Sequence, residues 1–203
     1  MDGIVSGTPA GERDLLRVLA FAGSLRARSY NGALLHAARE LAPAGMVIDI
    51  YESIALPLFN EDVEARGDPE PVAAFKLAIS GADALLIATP EYNYGVPGVL
   101  KNAIDWASRP PGLTPLSGKL AAIVGASPGV IGTARAQQQV RQAFAFTNTL
   151  AMLQPEVLVG RAHEKFDRDG RLSDEATRTF FRQFLETFHG WATRMLQTAL
   201  IAR

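Results

Sequence analysis

The segment that follows the first apolar run contains the residue types that bind an anion. It reads GSLRARSYN over residues 23–31, and a helical pattern begins at its end. Backbone N–H groups at a helix N-terminus and the positive end of the helix dipole favour a phosphate. Hydroxyl, amide and guanidinium groups add hydrogen bonds. The spacing matches neither G-x-G-x-x-G nor G-x-x-x-x-G-K-[ST]. We therefore predict a phosphate loop built on hydroxyls, with simple capping of the helix by Ser29 or Asn31 as the alternative.

A second segment could bind the face or edge of a planar ring. It reads TPEYNYGVPG over residues 89–98 and follows the third apolar run. Its two prolines and two glycines restrict the backbone to an irregular course. Tyr92 and Tyr94 offer flat aromatic surfaces. The segment predicts a heterocycle-binding loop, and a turn with purely structural tyrosines is the alternative.

The elements that position these segments follow from the hydrophobic pattern. Continuous apolar runs predict strands, and amphipathic segments predict helices. The predicted strands cover 15–22, 46–51, 83–89, 119–125 and 156–160, and the predicted helices cover 31–41, 71–80, 97–107, 133–150 and a last helix capped by Ser173. Apolar strands that alternate with helices predict an α/β fold with a parallel sheet covered on both faces. Ligands of such sheets bind beyond the carboxyl ends of the strands.

Composition excludes several classes of function. The chain has 203 residues, 20 Lys plus Arg and 21 Asp plus Glu, so its net charge of −1 argues against a nucleic-acid or membrane partner. It has no Cys and three His, which excludes cysteine nucleophiles and iron–sulfur clusters and predicts no metal site. Residues 1–14 have no basic start and no apolar run, so we predict a flexible tail, one domain over 15–203 and a cytoplasmic location.

Three stretches of the sequence resemble one known family. PEYNYGVPGVLKNAIDWASR resembles the signature of the NAD(P)H-dependent FMN reductases, which include chromate and quinone reductases. GSLRARSYN is similar to their phosphate-binding loop, and GASPGVIGTARAQQQVRQ to the segment after their fourth strand. The resemblance covers most of residues 15–190. It implies a flavodoxin-like three-layer sandwich with a five-stranded parallel sheet of order 2-1-3-4-5, bound FMN, NADPH or NADH as co-substrate, and a dimer or tetramer.

The resemblance also implies cofactor-binding residues in three groups. The residues that would bind the FMN phosphate are Ser24, Arg26, Ser29 and Asn31. The residues that would meet the isoalloxazine and ribityl, partly through backbone, are Pro90, Glu91, Tyr92 and Asn93, and those on the other side of the ring are Ala126 and Ser127. Relatives often carry Ser or Thr where this chain has Gly125 and Ala126, so backbone would have to replace any side-chain contact there.

The implied reaction moves hydride from a nicotinamide to FMN and on to a quinone, metal oxyanion, azo or flavin acceptor. The cofactor supplies that chemistry, so we predict no catalytic residue. Arg109 is a hypothesis only, as a partner for an acid of a neighbouring subunit or for the NADPH phosphate. The alternative from another class is a flavodoxin-type electron carrier without its own NAD(P)H activity, against which the near-neutral net charge argues.

A third alternative is a serine hydrolase. Residues 125–129, GASPG, match the G-x-S-x-G motif with Ser127 as nucleophile, and His189 lies downstream. The residue after such a nucleophile donates its backbone N–H to the oxyanion hole. Pro128 occupies that position and has no N–H, which argues against this alternative.

Overall fold

The structure is a computed structural model that describes residues 15–201, so the predicted tail over 1–14 lies outside the described residues. In chain order the elements are β1 (Leu16–Ala22), α1 (Tyr30–Leu41), β2 (Met46–Tyr51), α2 (Glu61–Glu64), α3 (Glu70–Gly81), β3 (Ala84–Ala88), α4 (Gly98–Ala107), β4 (Leu120–Ala126), α5 (Ala134–Thr147), β5 (Leu150–Ala151), β6 (Val157–Val159), α6 (Ala162–Lys165) and α7 (Glu175–Ile201). None of the described helices is both long and apolar enough to cross a bilayer.

The strands form one parallel sheet in the order β2-β1-β3-β4-β5, which confirms the predicted flavodoxin-like order. β1 lies between β2 and β3, with Val18 opposite Ile48 on one side and Ala84 on the other. The last strand position is shared, because β5 pairs with the start of β4 and β6 pairs with its end. The sheet therefore has a carboxyl edge at which the loops after β1, β3 and β4 meet.

The predicted helix over 133–150 is too long. α5 ends at Thr147, and Asn148 takes the left-handed conformation with φ 55°. Asparagine tolerates this conformation and ends helices with it. Leu150 consequently belongs to β5, an edge piece of the sheet that the sequence analysis did not predict.

Both faces of the sheet are buried, as the continuous apolar runs predicted. α1 and α7 cover one face, and residues such as Leu34, Phe181 and Phe188 on these helices are fully buried there. α3, α4 and α5 cover the other face, with Phe75 and Phe144 in its core. The loops after β1 and β3 lead to helices on opposite faces, so the sheet has a topological switch point between these two strands.

The last helix begins one residue later than predicted. Asp174, rather than Ser173, caps it, because the Asp174 carboxylate accepts hydrogen bonds from the Thr177 N–H at 2.9 Å and the Thr177 hydroxyl at 2.6 Å. The bonds from Thr177, together with one from Lys165, lower the pKa of Asp174 to about 2. The Ser173 hydroxyl instead donates to the Lys165 carbonyl.

Candidate active site

Three loops share the carboxyl edge of the sheet. β1 and β3 are adjacent, and the Gly23 N–H donates to the Ala88 carbonyl at 2.8 Å. A Cβ on Gly23 would lie 3.1 Å from the Leu100 side chain, so the first loop passes close to α4. The loop after β4 lies beside the loop after β3, because β3 and β4 also pair. The three predicted groups of site residues therefore lie at one edge.

The first loop carries two exposed cationic groups. Ser29 caps α1 and accepts hydrogen bonds from the N–H groups of Asn31 and Gly32, at 3.2 and 3.3 Å. Arg26 and Arg28 are exposed, and within residues 15–201 neither forms an ion pair. A charged loop at the N-terminus of a 12-residue helix is a site for an anion.

This loop forms one wall of a cavity of about 790 Å³, which Ser24, Arg26 and Ser29 line. The opposite wall includes His163 and residues 166–170, a segment that the sequence analysis did not assign to the site. Arg28 donates to the carbonyl of Arg168 at 3.2 Å across this gap. The contact joins positions 140 residues apart, and no sequence motif indicated it. The residues after β3 and β4 lie outside the cavity lining.

Asn31 and Ala126 contact each other. The Asn31 amide donates to the Ala126 carbonyl and accepts from the Ala126 N–H, both at 2.9 Å. The two residues are each 2% exposed. The resemblance placed both of them against the cofactor, whereas the structure shows the Asn31 side chain and the Ala126 backbone paired in the interior.

The loop after β3 is a tight turn with a fixed shape. Tyr92 and Gly95 exchange N–H···O bonds of 3.1 and 2.9 Å, and Asn93 and Tyr94 between them have positive φ values of 51° and 64°. These are the features of a type I′ turn, which is unfavourable for residues with a Cβ. Tyr92, Asn93 and Tyr94 are all exposed, and the Arg135 guanidinium lies 4.0 Å from the centre of the Tyr94 ring.

Glu91 joins this turn to the next loop. Its carboxylate accepts hydrogen bonds from the N–H groups of Arg135 and Ala136, at 2.9 and 3.2 Å, and so caps α5. Thr133, the residue before the helix, makes no capping bond. A negative charge at a helix N-terminus is stabilising. The side chain of Glu91 is thereby occupied, and Pro90 beside it is buried.

The end of β4 explains one departure from the family pattern. A Cβ on Gly125 would lie 1.9 Å from the Thr133 hydroxyl and 2.4 Å from the Thr89 carbonyl, so a larger residue does not fit. Next in the chain, the Ser127 hydroxyl accepts from the Gly129 N–H at 3.1 Å. Among the described residues, no histidine hydrogen-bonds to Ser127. The geometry offers no support for the serine hydrolase.

Arg109 pairs with acids of its own chain. Its Nε donates to both carboxylate oxygens of Glu64, at 3.1 and 3.0 Å, and Glu61 lies 3.9 Å from the guanidinium. The pair joins the end of α4 to α2. A role of Arg109 toward an acid of a neighbouring subunit or toward the NADPH phosphate stays a prediction.

The sheet order defines a flavodoxin-like protein, with a cationic loop at its switch point. Residues 16–164 match the family model described as NADPH-dependent FMN reductase. The chain is 50% identical over 182 residues, 90% of its length, to an NAD(P)H-dependent FMN reductase of Pseudomonas aeruginosa, covering 98% of that protein. It is 45% identical over 174 residues to a quinone reductase of Pseudomonas putida, covering 86% of this chain and 93% of that one.

A solved structure is similar as well. FerB from Paracoccus denitrificans, a flavoenzyme NAD(P)H:(acceptor) oxidoreductase, matches with a TM-score of 0.81 and 38% identity over 89% of this chain and 99% of its own. The chain belongs to the NADPH-dependent FMN reductase family. It is therefore an oxidoreductase that uses FMN and NAD(P)H, as the resemblance implied.

Proposed function

We propose that this protein passes reducing equivalents from NAD(P)H through FMN to a quinone. The observation that carries the proposal is the loop after β1, whose Ser24, Arg26 and Ser29 line a cavity at the N-terminus of α1. Two hydroxyls, a helix N-terminus and the Arg26 guanidinium, which has no ion-pair partner within residues 15–201, fit a phosphate monoester. When bound, FMN supplies the redox chemistry, and the protein supplies binding and orientation.

The flavin ring lies, in this proposal, between the loops after β3 and β4. Tyr92 and Asn93 are exposed on the rigid turn on one side, and Ser127 is half-buried on the other. The two residues before the turn anchor it, since Pro90 is buried and Glu91 caps α5. A turn fixed by its own hydrogen bonds holds the ring without reorganising, which favours close approach of a stacked nicotinamide.

The exposed surface beside this turn favours a neutral planar acceptor. Tyr94 is 70% exposed, and Val130 and Ile131 in the loop after β4 are 74% and 52% exposed. Aromatic and aliphatic side chains bind flat apolar molecules through buried area. A metal oxyanion would need cations instead, and Arg135 is partly occupied by Glu91 and by the Tyr94 ring. Relatives named as reductases of quinone and of 2-hydroxy-1,4-benzoquinone support the same substrate class.

The purified protein tests this directly. We expect visible flavin absorbance as isolated or after addition of FMN, loss of that absorbance on anaerobic mixing with NADPH or NADH, and its return on addition of benzoquinone. Chromate, an azo dye and free flavin are compared as acceptors under the same conditions. Bleaching that requires a separate reductase would identify an electron carrier instead. A protein that takes up no FMN would overturn the proposal.

We also propose self-association as a dimer or tetramer and a cytoplasmic location. The support for self-association is the resemblance to the family. Sedimentation of the purified chain tests it, and a monomer at micromolar concentration would contradict it.

A further inference from the structure

Asn31 holds two parts of the site together. It is the second residue of α1, directly after the phosphate loop, and its side chain bonds to Ala126, the last residue of β4. We propose that Asn31 is a positioning residue, which fixes the phosphate loop relative to the loop after β4 and does not itself contact the cofactor. The inference rests on the proposed function, because it concerns the FMN site.

Ala126 needs such a partner because β3 ends too early to supply one. The last pair of the β3–β4 ladder is Ala88 with Val124, and the Thr89 N–H donates to the Val124 carbonyl. Ala126 lies two residues farther along, where its N–H and C=O would meet the next residues of a longer β3. The Asn31 amide supplies one acceptor and one donor there, as a neighbouring strand would.

The same residue is part of the anion site. The Asn31 backbone N–H donates to the Ser29 hydroxyl, which caps α1. On the other side, Ala126 leads directly to Ser127, whose N–H donates to the Val159 carbonyl. Loss of the Asn31 amide would leave both buried backbone groups of Ala126 without a partner, which is unfavourable. The phosphate end and the ring end of the site would then shift together.

Two flavins separate this role from direct binding of phosphate. Riboflavin has the ring and ribityl of FMN but lacks the phosphate. We expect Asn31→Ala to weaken the binding of both flavins about tenfold or more, by similar factors. The matched variant Arg26→Ala removes the guanidinium that, in the proposed function, faces the FMN phosphate. We expect it to weaken the binding of FMN and to leave the binding of riboflavin unchanged. Dissociation constants come from quenching of flavin fluorescence on the full chain after removal of bound flavin, with circular dichroism to verify folding.

A second variant keeps the shape of the side chain. In Asn31→Asp, an ionised carboxylate accepts from the Ala126 N–H but cannot donate to the Ala126 carbonyl, whereas a protonated carboxyl does both. We therefore expect riboflavin binding by this variant to recover as the pH falls from about 8 to about 5. His36 and His163 line the cavity in the wild type and in the variant alike. Each constant is therefore expressed as a ratio to the wild type at the same pH.

The outcomes differ clearly. Similar losses for FMN and riboflavin, with recovery of the Asp variant at low pH, support the positioning role. If Asn31→Ala weakens FMN and leaves riboflavin unchanged, Asn31 is a phosphate ligand and the proposal is overturned. Unchanged binding of both flavins overturns it as well. If the wild type binds FMN, the proposed function stands whichever result the Asn31 variants give. If the wild type binds neither flavin, both the proposed function and the positioning role of Asn31 are overturned.

Discussion

The loops after β1 and β3 differ in how their polar side chains are used. In the first loop, Arg26 is exposed and, within the described part of the chain, has no ion-pair partner. In the loop after β3, the Glu91 carboxylate caps α5, and the turn that follows is closed by its own backbone bonds. The first loop thus offers free charge to a ligand, and the second offers a rigid shape. Substitutions in the first are expected to change affinity, and those in the second stability.

Gly125→Ala should lower the unfolding free energy most, because the added methyl group would collide with residues at the start of the loop after β3. The new Cβ would lie 2.4 Å from the backbone of Thr89 and 1.9 Å from the Thr133 hydroxyl. Overpacking of this kind costs about 3 kcal/mol of unfolding free energy. Urea unfolding measures the loss. Gly129→Ala is the matched control, since its Cβ would lie 3.5 Å from the nearest atom, the Ser127 hydroxyl. Equal stability of the two variants would contradict the packing argument.

Arg26→Ala should lower FMN affinity about 10- to 100-fold, which is the contribution of a charge-assisted hydrogen bond. The unfolding free energy without flavin should change by less than about 0.5 kcal/mol, because the side chain is exposed. Fluorescence titration and urea unfolding give the two values. Arg39→Ala, at the other end of α1, removes the same charge and should leave FMN affinity unchanged. A large loss of stability in Arg26→Ala would remove the distinction between the two loops.

Glu91→Ala should lower stability by about 1–2 kcal/mol, the usual cost of a lost helix cap. Glu91→Gln keeps an oxygen that accepts from the N–H groups of Arg135 and Ala136, so it should lose only the smaller contribution of the charge. Urea unfolding of the two variants without flavin provides the comparison. If both variants were as stable as the wild type, the carboxylate would be free to act on a ligand instead.

Asp174 provides a reference outside both loops. Its folded pKa of about 2 lies below the ordinary value of 3.8, so its contribution to stability is complete above about pH 4 and is lost as the pH falls toward 2. Asp174→Asn should therefore show a shallower decline of stability over this range. Urea midpoints at several pH values test this. Arg26→Ala should retain the wild-type decline, and a parallel decline in Asp174→Asn would show that other carboxylates dominate.

Local pattern was sufficient for most of the fold. Buried strands read as continuous apolar runs wherever both faces of a sheet are covered, and the runs of β1, β3 and β4 have this property. The local sequence pattern did not predict β5. Leu150 continues a helical pattern, and it joins the sheet only because Asn148 ends α5 in a left-handed conformation.

The amino-acid sequence by itself determined which chemical groups reach the carboxyl edge, because residue type and position after a strand are local properties. Only the tertiary structure decided which of them stay free. Asn31 bonds to a residue 95 positions later in the chain, and Glu91 to one 44 positions later. Arg109 bonds to Glu64, which lies 45 positions earlier. A hydrogen bond needs atoms about 3 Å apart. Residue types determine which atoms can pair, whereas the packing of distant elements determines which ones do.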